Sequence, residues 1–130
     1  MAIVGLGTDI VEIARIAASL TRSPGLVKRV LSAAEQEVYQ QRLAQNAEQA
    51  TRYFAKRFAA KEAAAKALGT GIGRGVSFQH IHISNNEQGA PVLNFTDYAA
   101  ELAQSMAVTQ KWLSITDEQA YAAATVILER

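Results

Sequence analysis

A chain of 130 residues, 49% hydrophobic and 19% charged, has the composition of a globular protein long enough to bury a core without disulfides or a structural metal. It contains no cysteine, which excludes a disulfide framework, a thiolate metal site and a cysteine nucleophile, and is compatible with the cytoplasm. A formal net charge of +1 argues against a general nucleic-acid binder, and no apolar run approaches the roughly 20 residues that span a bilayer. The start, Met1-Ala2-Ile3-Val4, has neither a basic region nor a cleavage site, so no signal peptide is expected, and one domain is expected over residues 1–130.

Ile3 to Thr8 is short, apolar and punctuated by glycine, and predicts a buried strand. Asp9 follows it, a carboxylate at a strand end and also a common N-cap; a helical period runs from Ile10 to Ile16, so both readings can hold together. From Ile13 to Leu31 the charges are Arg15, Arg22, Lys28 and Arg29, without an acid, broken by Pro24-Gly25. That one-signed stretch fits an acidic partner, the alternative being a solvated helix face.

Ser32 and Glu35 form a capping box for a helix from Ala33 to about Gln45. Asn46 caps the next helix, which runs to about Leu68. On it Phe54, Phe58, Glu62 and Lys66 form one i, i+4 row. The aromatic head of that row turns it inward and carries Glu62 toward the core, where a carboxylate needs a partner or a metal. Spacing alone equally allows a surface pair of Glu62 with Lys66, and slightly favours it.

Gly69-Thr70-Gly71-Ile72-Gly73-Arg74-Gly75 then permits positive φ and close backbone approach to a ligand. It follows a helix C-terminus, where the dipole repels anions, so it is neither a P-loop nor a dinucleotide-binding turn. Phosphate bound there would need backbone amides, cationic side chains and a metal. Phe78 to Ser84 alternates as a half-buried strand, with His80 and His82 exposed on one face and no third ligand for a metal. Asn85 to Pro91 is a turn, Val92 to Phe95 a strand, and Thr96 caps a helix from Asp97 to Met106. Lys111 to Thr116 is a strand, Asp117-Glu118-Gln119 a turn and Ala120 to Leu128 the last strand. Strands joined by short turns predict an α+β fold, an antiparallel sheet with packed helices around one long central helix.

Two separated segments, Gly5-Leu6-Gly7-Thr8-Asp9-Ile10-Val11-Glu12-Ile13 and Arg57 to Gly73, resemble the two signatures of the bacterial holo-acyl-carrier-protein synthases, the small class of phosphopantetheinyl transferases. Order, spacing, length and the terminal hairpin agree, so the resemblance covers essentially the whole chain. It implies transfer of the phosphopantetheine arm of coenzyme A to a serine of apo acyl carrier protein, supporting fatty acid synthesis. Magnesium is required, and an adenosine bisphosphate leaves. It also implies Asp9 and Glu62 as metal ligands, Lys66 near the reacting phosphate, and Glu62 orienting or deprotonating the attacking serine or a water. Arg57 and Lys61 would lie near the coenzyme A phosphates, and the Gly69, Gly71 and Gly73 loop and the Gly89–Pro91 turn would line the nucleotide. A homotrimer with sites between subunits is implied, and Arg15, Arg22, Lys28 and Arg29 would receive the acidic carrier, with no membrane or nucleic acid involved. Many relatives carry histidine after the Ser-x-Thr of the penultimate strand, where this chain has Asp117. The residue inventory suits the implied chemistry, because magnesium takes one or two carboxylates plus phosphate oxygens, and phosphoryl transfer needs no covalent enzyme nucleophile. Two other readings compete, a non-catalytic coenzyme A-binding module and an interaction protein using only the basic segment.

Overall fold

A computed structural model describes all residues, Met1–Arg130. The order is β1 (Ile3–Glu12), α1 (Ile13–Arg22), α2 (Leu26–Val30), α3 (Ala33–Gln45), α4 (Ala47–Ala67), a 3-10 turn (Phe78–His80), β2 (Ile81–Asn85), β3 (Pro91–Phe95), α5 (Asp97–Ser105), β4 (Gln110–Asp117) and β5 (Tyr121–Glu129). The fold is α+β, and every strand pair is antiparallel. The strands divide into two sheets, one ordered β1-β5-β4 and a β2-β3 hairpin, where the sequence had suggested one.

Both predicted caps are present. Ser32 Oγ accepts from the Glu35 amide at 3.3 Å and Glu35 Oε1 accepts from the Ser32 amide at 2.9 Å. Asn46 Oδ1 accepts from the Gln49 amide at 3.1 Å at the head of α4.

α4 is the central helix, buried over most of its circumference, and its alanines explain how. Strand β1 lies directly on them. A Cβ on Gly7 would stand 1.9 Å from the Ala63 carbonyl oxygen, and one on Gly5 would stand 2.2 Å from that of Ala67. Neither glycine tolerates a side chain, so β1 and the last turns of α4 are held in close register. Two apolar clusters share α4. One joins Ala59 to Leu68 with Ile81, Ile83, Leu93, Val126 and Leu128; the other joins Phe54 with Ile13, Ile16, Val30, Leu31 and Tyr39.

Three expectations are corrected. The helix predicted from Ile10 begins at Ile13, because Asp9, Ile10 and Val11 pair with Ala124, Ala123 and Ala122 of β5, and that ladder overrides the helical period. Asp9 is therefore inside a strand and caps no helix. The strand predicted from Phe78 begins at Ile81, and Ser77 opens a 3-10 turn before it. His80 and His82 are half-buried and engaged: His80 Nδ1 accepts from the Ser77 amide at 3.2 Å, and His82 Nε2 lies 3.2 Å from Thr96 Oγ1. No helix is long and apolar enough to cross a membrane.

Candidate active site

The close packing of β1 on α4 brings Asp9 to the row that ends in Glu62 and Lys66. Lys66 Nζ donates to Asp9 Oδ1 at 3.0 Å and to the Thr8 carbonyl at 2.9 Å. The surface pair of Glu62 with Lys66 is not formed, since β1 supplies Lys66 with a nearer carboxylate. Glu62 is half-buried, and burial pushes its carboxyl above the ordinary value; the Asp9 charge adds to the rise and Lys66 opposes it. Asp9 Oδ2 is buried and has no hydrogen-bond partner. An orphaned carboxylate oxygen beside a second carboxylate that resists ionisation is a site short of positive charge.

No cluster of three or more acidic, histidine or cysteine ligands exists anywhere in the chain. Two carboxylates with an orphaned oxygen suit a hard cation that completes its shell with water and substrate oxygens, as magnesium does.

Arg57 belongs to a separate group. It is 8% exposed, its Nη2 donates to Asn85 Oδ1 at 2.7 Å, and its guanidinium carbon sits 4.8 Å from the centre of the Tyr53 ring. Asn85 Nδ2 donates in turn to the Gly89 carbonyl at 3.0 Å, so Arg57 is tied through Asn85 to the turn that ends at Pro91. Asn85 carries no sequence signal; only the hairpin register, which sets it opposite Pro91, puts it there. A cavity of about 190 Å³ opens beside Arg57, Tyr53, Ser84 and Asn85, and Arg57 Nε is buried without a partner. Arg57 precedes Glu62 by five positions, about 140° around the helix at 3.6 residues per turn. The Arg57 group and the Asp9, Glu62 and Lys66 group thus lie on different sides of α4.

Lys61 does not face either of them. It is fully buried, its Nζ 2.7 Å from Glu35 Oε1 and donating to the Val30 carbonyl at 2.7 Å and that of Phe78 at 3.3 Å. The expectation that it meets coenzyme A phosphates is overturned, because its cation is spent on an interior carboxylate. Burial lowers the Lys61 pKa and Glu35 partly restores it.

Gly69, Gly71 and Gly73 all take positive φ, at 89°, 67° and 111°, with no atom within 4 Å of an added Cβ, so the loop presents bare backbone to the outside. Arg15, Arg22, Lys28 and Arg29 are exposed and form no ion pair. Arg15 borders a cavity of about 340 Å³ with Ile10, Ile16, Ser19 and Phe58, the neighbours in sequence and in helix turn of Asp9 and Glu62. The largest cavity, about 500 Å³, contains none of Asp9, Arg15, Arg57, Glu62 or Lys66. Asp117 pairs with Arg52 at 3.0 Å and Lys56 at 3.5 Å, and Arg52 also donates to the Glu118 and Gln119 carbonyls, clamping the β4–β5 turn to α4.

Residues 5–126 match the model of the 4'-phosphopantetheinyl transferase superfamily. A holo-(acyl-carrier-protein) synthase of Shewanella oneidensis is 62% identical over 130 residues, covering 99% of this chain and 98% of the relative. The crystal structure of the corresponding synthase of Neisseria meningitidis aligns with a TM-score of 0.88 at 35% identity, over 99% of this chain and 100% of that one. The synthase of Bacillus anthracis in complex with coenzyme A (3',5'-ADP) aligns with a TM-score of 0.79 at 36% identity, over 97% of this chain and 96% of that one.

Proposed function

Because the chain belongs to the 4'-phosphopantetheinyl transferase superfamily, we propose that it is one catalytic domain that transfers phosphopantetheine from coenzyme A to a serine of apo acyl carrier protein, in the cytoplasm and in support of fatty acid synthesis. The observation that carries the assignment of the site is the Asp9, Glu62 and Lys66 cluster, with its orphaned Asp9 oxygen.

The serine oxygen forms a bond to the phosphorus that carries the pantetheine arm, and the bond from that phosphorus to the bridging oxygen breaks, releasing adenosine 3',5'-bisphosphate. Asp9 and Glu62 would hold magnesium, which supplies charge neutralisation at the pyrophosphate. Glu62 is the carboxylate placed to orient the serine or a water and to take the serine proton. Lys66, half-exposed, can turn its ammonium toward a phosphate oxygen while Asp9 keeps it near. Arg57, with the turn at Gly89 and Pro91 fixed through Asn85, is the half-site suited to the nucleotide end, with the bare backbone of Gly69, Gly71 and Gly73 as a further wall.

Two half-sites on different sides of α4 need a second copy to complete them, and this supports a homotrimer with sites between subunits. The outer face of the three-stranded sheet offers an apolar surface, with Leu6 65%, Ile10 66% and Trp112 55% exposed. Light scattering is expected to give three times the 14.0 kDa chain mass; a monomer at assay concentration removes the shared site.

The decisive assay incubates the protein with coenzyme A, magnesium and apo carrier, and weighs the carrier. Gain of one phosphopantetheine with release of adenosine bisphosphate is expected; binding of coenzyme A without release favours a non-catalytic module. The four unpaired cations from Arg15 to Arg29 form the carrier-docking surface, with Arg15 on the rim of a cavity it shares with Ile10 and Phe58. Arg15→Glu is expected to raise KM for the carrier about tenfold and leave that for coenzyme A unchanged, with added salt weakening the wild type in the same direction. A KM for the carrier that is constant in the variant and across a salt series excludes this surface.

A further inference from the structure

Helix α2 has only five residues, and its last backbone bond runs from the Leu31 amide to the Val27 carbonyl at 2.9 Å. The chain then turns extended at Leu31, with φ −94° and ψ 139°. The carbonyls of Lys28, Arg29, Val30 and Leu31 are therefore left without the amides a longer helix would supply. Side chains from elsewhere take all of them. Gln79 Nε2 shares its protons among Lys28 O and Leu31 O, each at 2.8 Å, and Arg29 O at 3.3 Å. Lys61 Nζ donates to Val30 O at 2.7 Å, and Gln36 Nε2 to Leu31 O at 2.9 Å. Gln79 sits in the 3-10 turn just before β2, and Lys61 on the helix that carries Glu62. Val30 and Leu31 anchor the end of α2 in the core, whereas Lys28 and Arg29, whose side chains are exposed, are tied down through their backbone oxygens, both by Gln79.

We propose that Gln79 is a positioning residue for carrier recognition: with Lys61 and Gln36 it locks α2 by its carbonyls, so that the exposed side chains of Lys28 and Arg29 meet the acidic carrier in one fixed arrangement. The inference rests on the docking surface given above and adds to it the device that orders that surface. A five-residue helix cannot hold its own shape, because so short a segment barely pays the cost of helix nucleation. Without Gln79 the Lys28–Arg29 turn loses the partner of both its carbonyls and samples several arrangements while Val30 and Leu31 stay in the core, and only the fraction in the docking arrangement binds productively. Gln79 is exposed and takes no part in either core cluster, so its replacement leaves the fold in place.

The test compares Gln79→Met, which keeps length and removes the donor, with the double charge variant Lys28→Glu/Arg29→Glu, using coenzyme A and apo carrier as substrates at a temperature where all are folded. If the competent fraction of α2 falls to about a fifth, KM for the carrier rises about fivefold in Gln79→Met. Both kcat and KM for coenzyme A stay within twofold of wild type, and hydrogen exchange speeds up at the amides of Arg29 to Leu31. A purely structural role for Gln79 would lower the melting temperature without splitting the two KM values, and that result overturns the proposal. If the charge variant raises KM for the carrier and Gln79→Met does not, the docking surface stands and the positioning role falls. If neither variant moves it, the surface itself is misassigned and the proposal falls with it.

Discussion

Asp9→Asn and Glu62→Gln are each expected to lower kcat/KM by about a hundredfold or more, since removing one ligand from a metal that supplies several kcal/mol of transition-state stabilisation costs a factor of ten per 1.4 kcal/mol. Each should also raise the magnesium needed for half-maximal rate. The double variant should lose little beyond the worse single one, because the two carboxylates act as a unit. Asp9 also anchors Lys66 at 3.0 Å, so Asp9→Asn should in addition loosen that ammonium.

The stability of these variants separates lost chemistry from lost fold. The folded chain holds the Glu62 proton to a higher pH than the unfolded chain does. That contribution to stability is fully present below the unfolded value and is lost as the pH rises through the folded one. At neutral pH the ionised Glu62 is thus a cost, which glutamine removes. Metal-free Glu62→Gln is expected to melt at or above the wild-type temperature while its activity collapses. Protons and magnesium compete for the same oxygens, so the magnesium requirement of the wild type should climb as the pH falls. Near-normal activity with an unshifted magnesium titration in both variants would remove the shared metal site.

What the sequence disclosed follows the range of the interactions involved. The caps at Ser32 and Asn46 and the long helix between Ala47 and Ala67 were legible because each signal spans three or four residues. The row from Phe54 to Lys66 left Glu62 between an inward carboxylate and a surface pair, with spacing favouring the pair; Glu62 is half-buried, with Phe54 fully buried and Lys66 exposed. It could not give Lys66 its partner, because Asp9 arrives from a strand far away in the chain. The end of β1 was misplaced for the same reason: the ladder to Ala122, Ala123 and Ala124 is set by residues at the opposite terminus. The resemblance pointed to Asp9 and Glu62 together, while the small residues that allow their meeting, Gly7 against Ala63, show their purpose only in the packed fold. Lys61 departs from what the resemblance implied. It would have lain near the coenzyme A phosphates, yet one position along a helix from Glu62 is 100° of rotation, enough to turn it into the core.

Lys61→Met is accordingly expected to act on stability. It strips the partner from Glu35, which is 3% exposed and would keep only the amides of Ser32 and Ile83, each at 2.9 Å. It also frees the carbonyls of Val30 and Phe78 inside the protein. Breaking a buried ion pair by removing one member costs about 3–5 kcal/mol, a large part of the roughly 5–15 kcal/mol that holds such a domain together. At about 3–5 °C per kcal/mol for a chain of this size, the melting temperature should fall by roughly 10–20 °C. The Lys61 pKa is lowered, chiefly by burial and against the pull of Glu35, with Arg57 adding to the fall, so the ammonium is held at a net cost. Hence the double variant Lys61→Met/Glu35→Gln, which leaves no uncompensated charge, should be less destabilised than Lys61→Met alone, and the cycle should give a coupling of opposite sign to the single losses. Kinetics completes the argument. Below its lowered melting temperature Lys61→Met should keep its KM for coenzyme A within twofold, because the ammonium touches no surface from which a phosphate could reach it. A rise in that KM of tenfold or more with the melting temperature unmoved would return Lys61 to the substrate; a large drop in melting temperature with KM intact assigns it to the interior, where it joins α2 and α3 to the helix that carries Glu62.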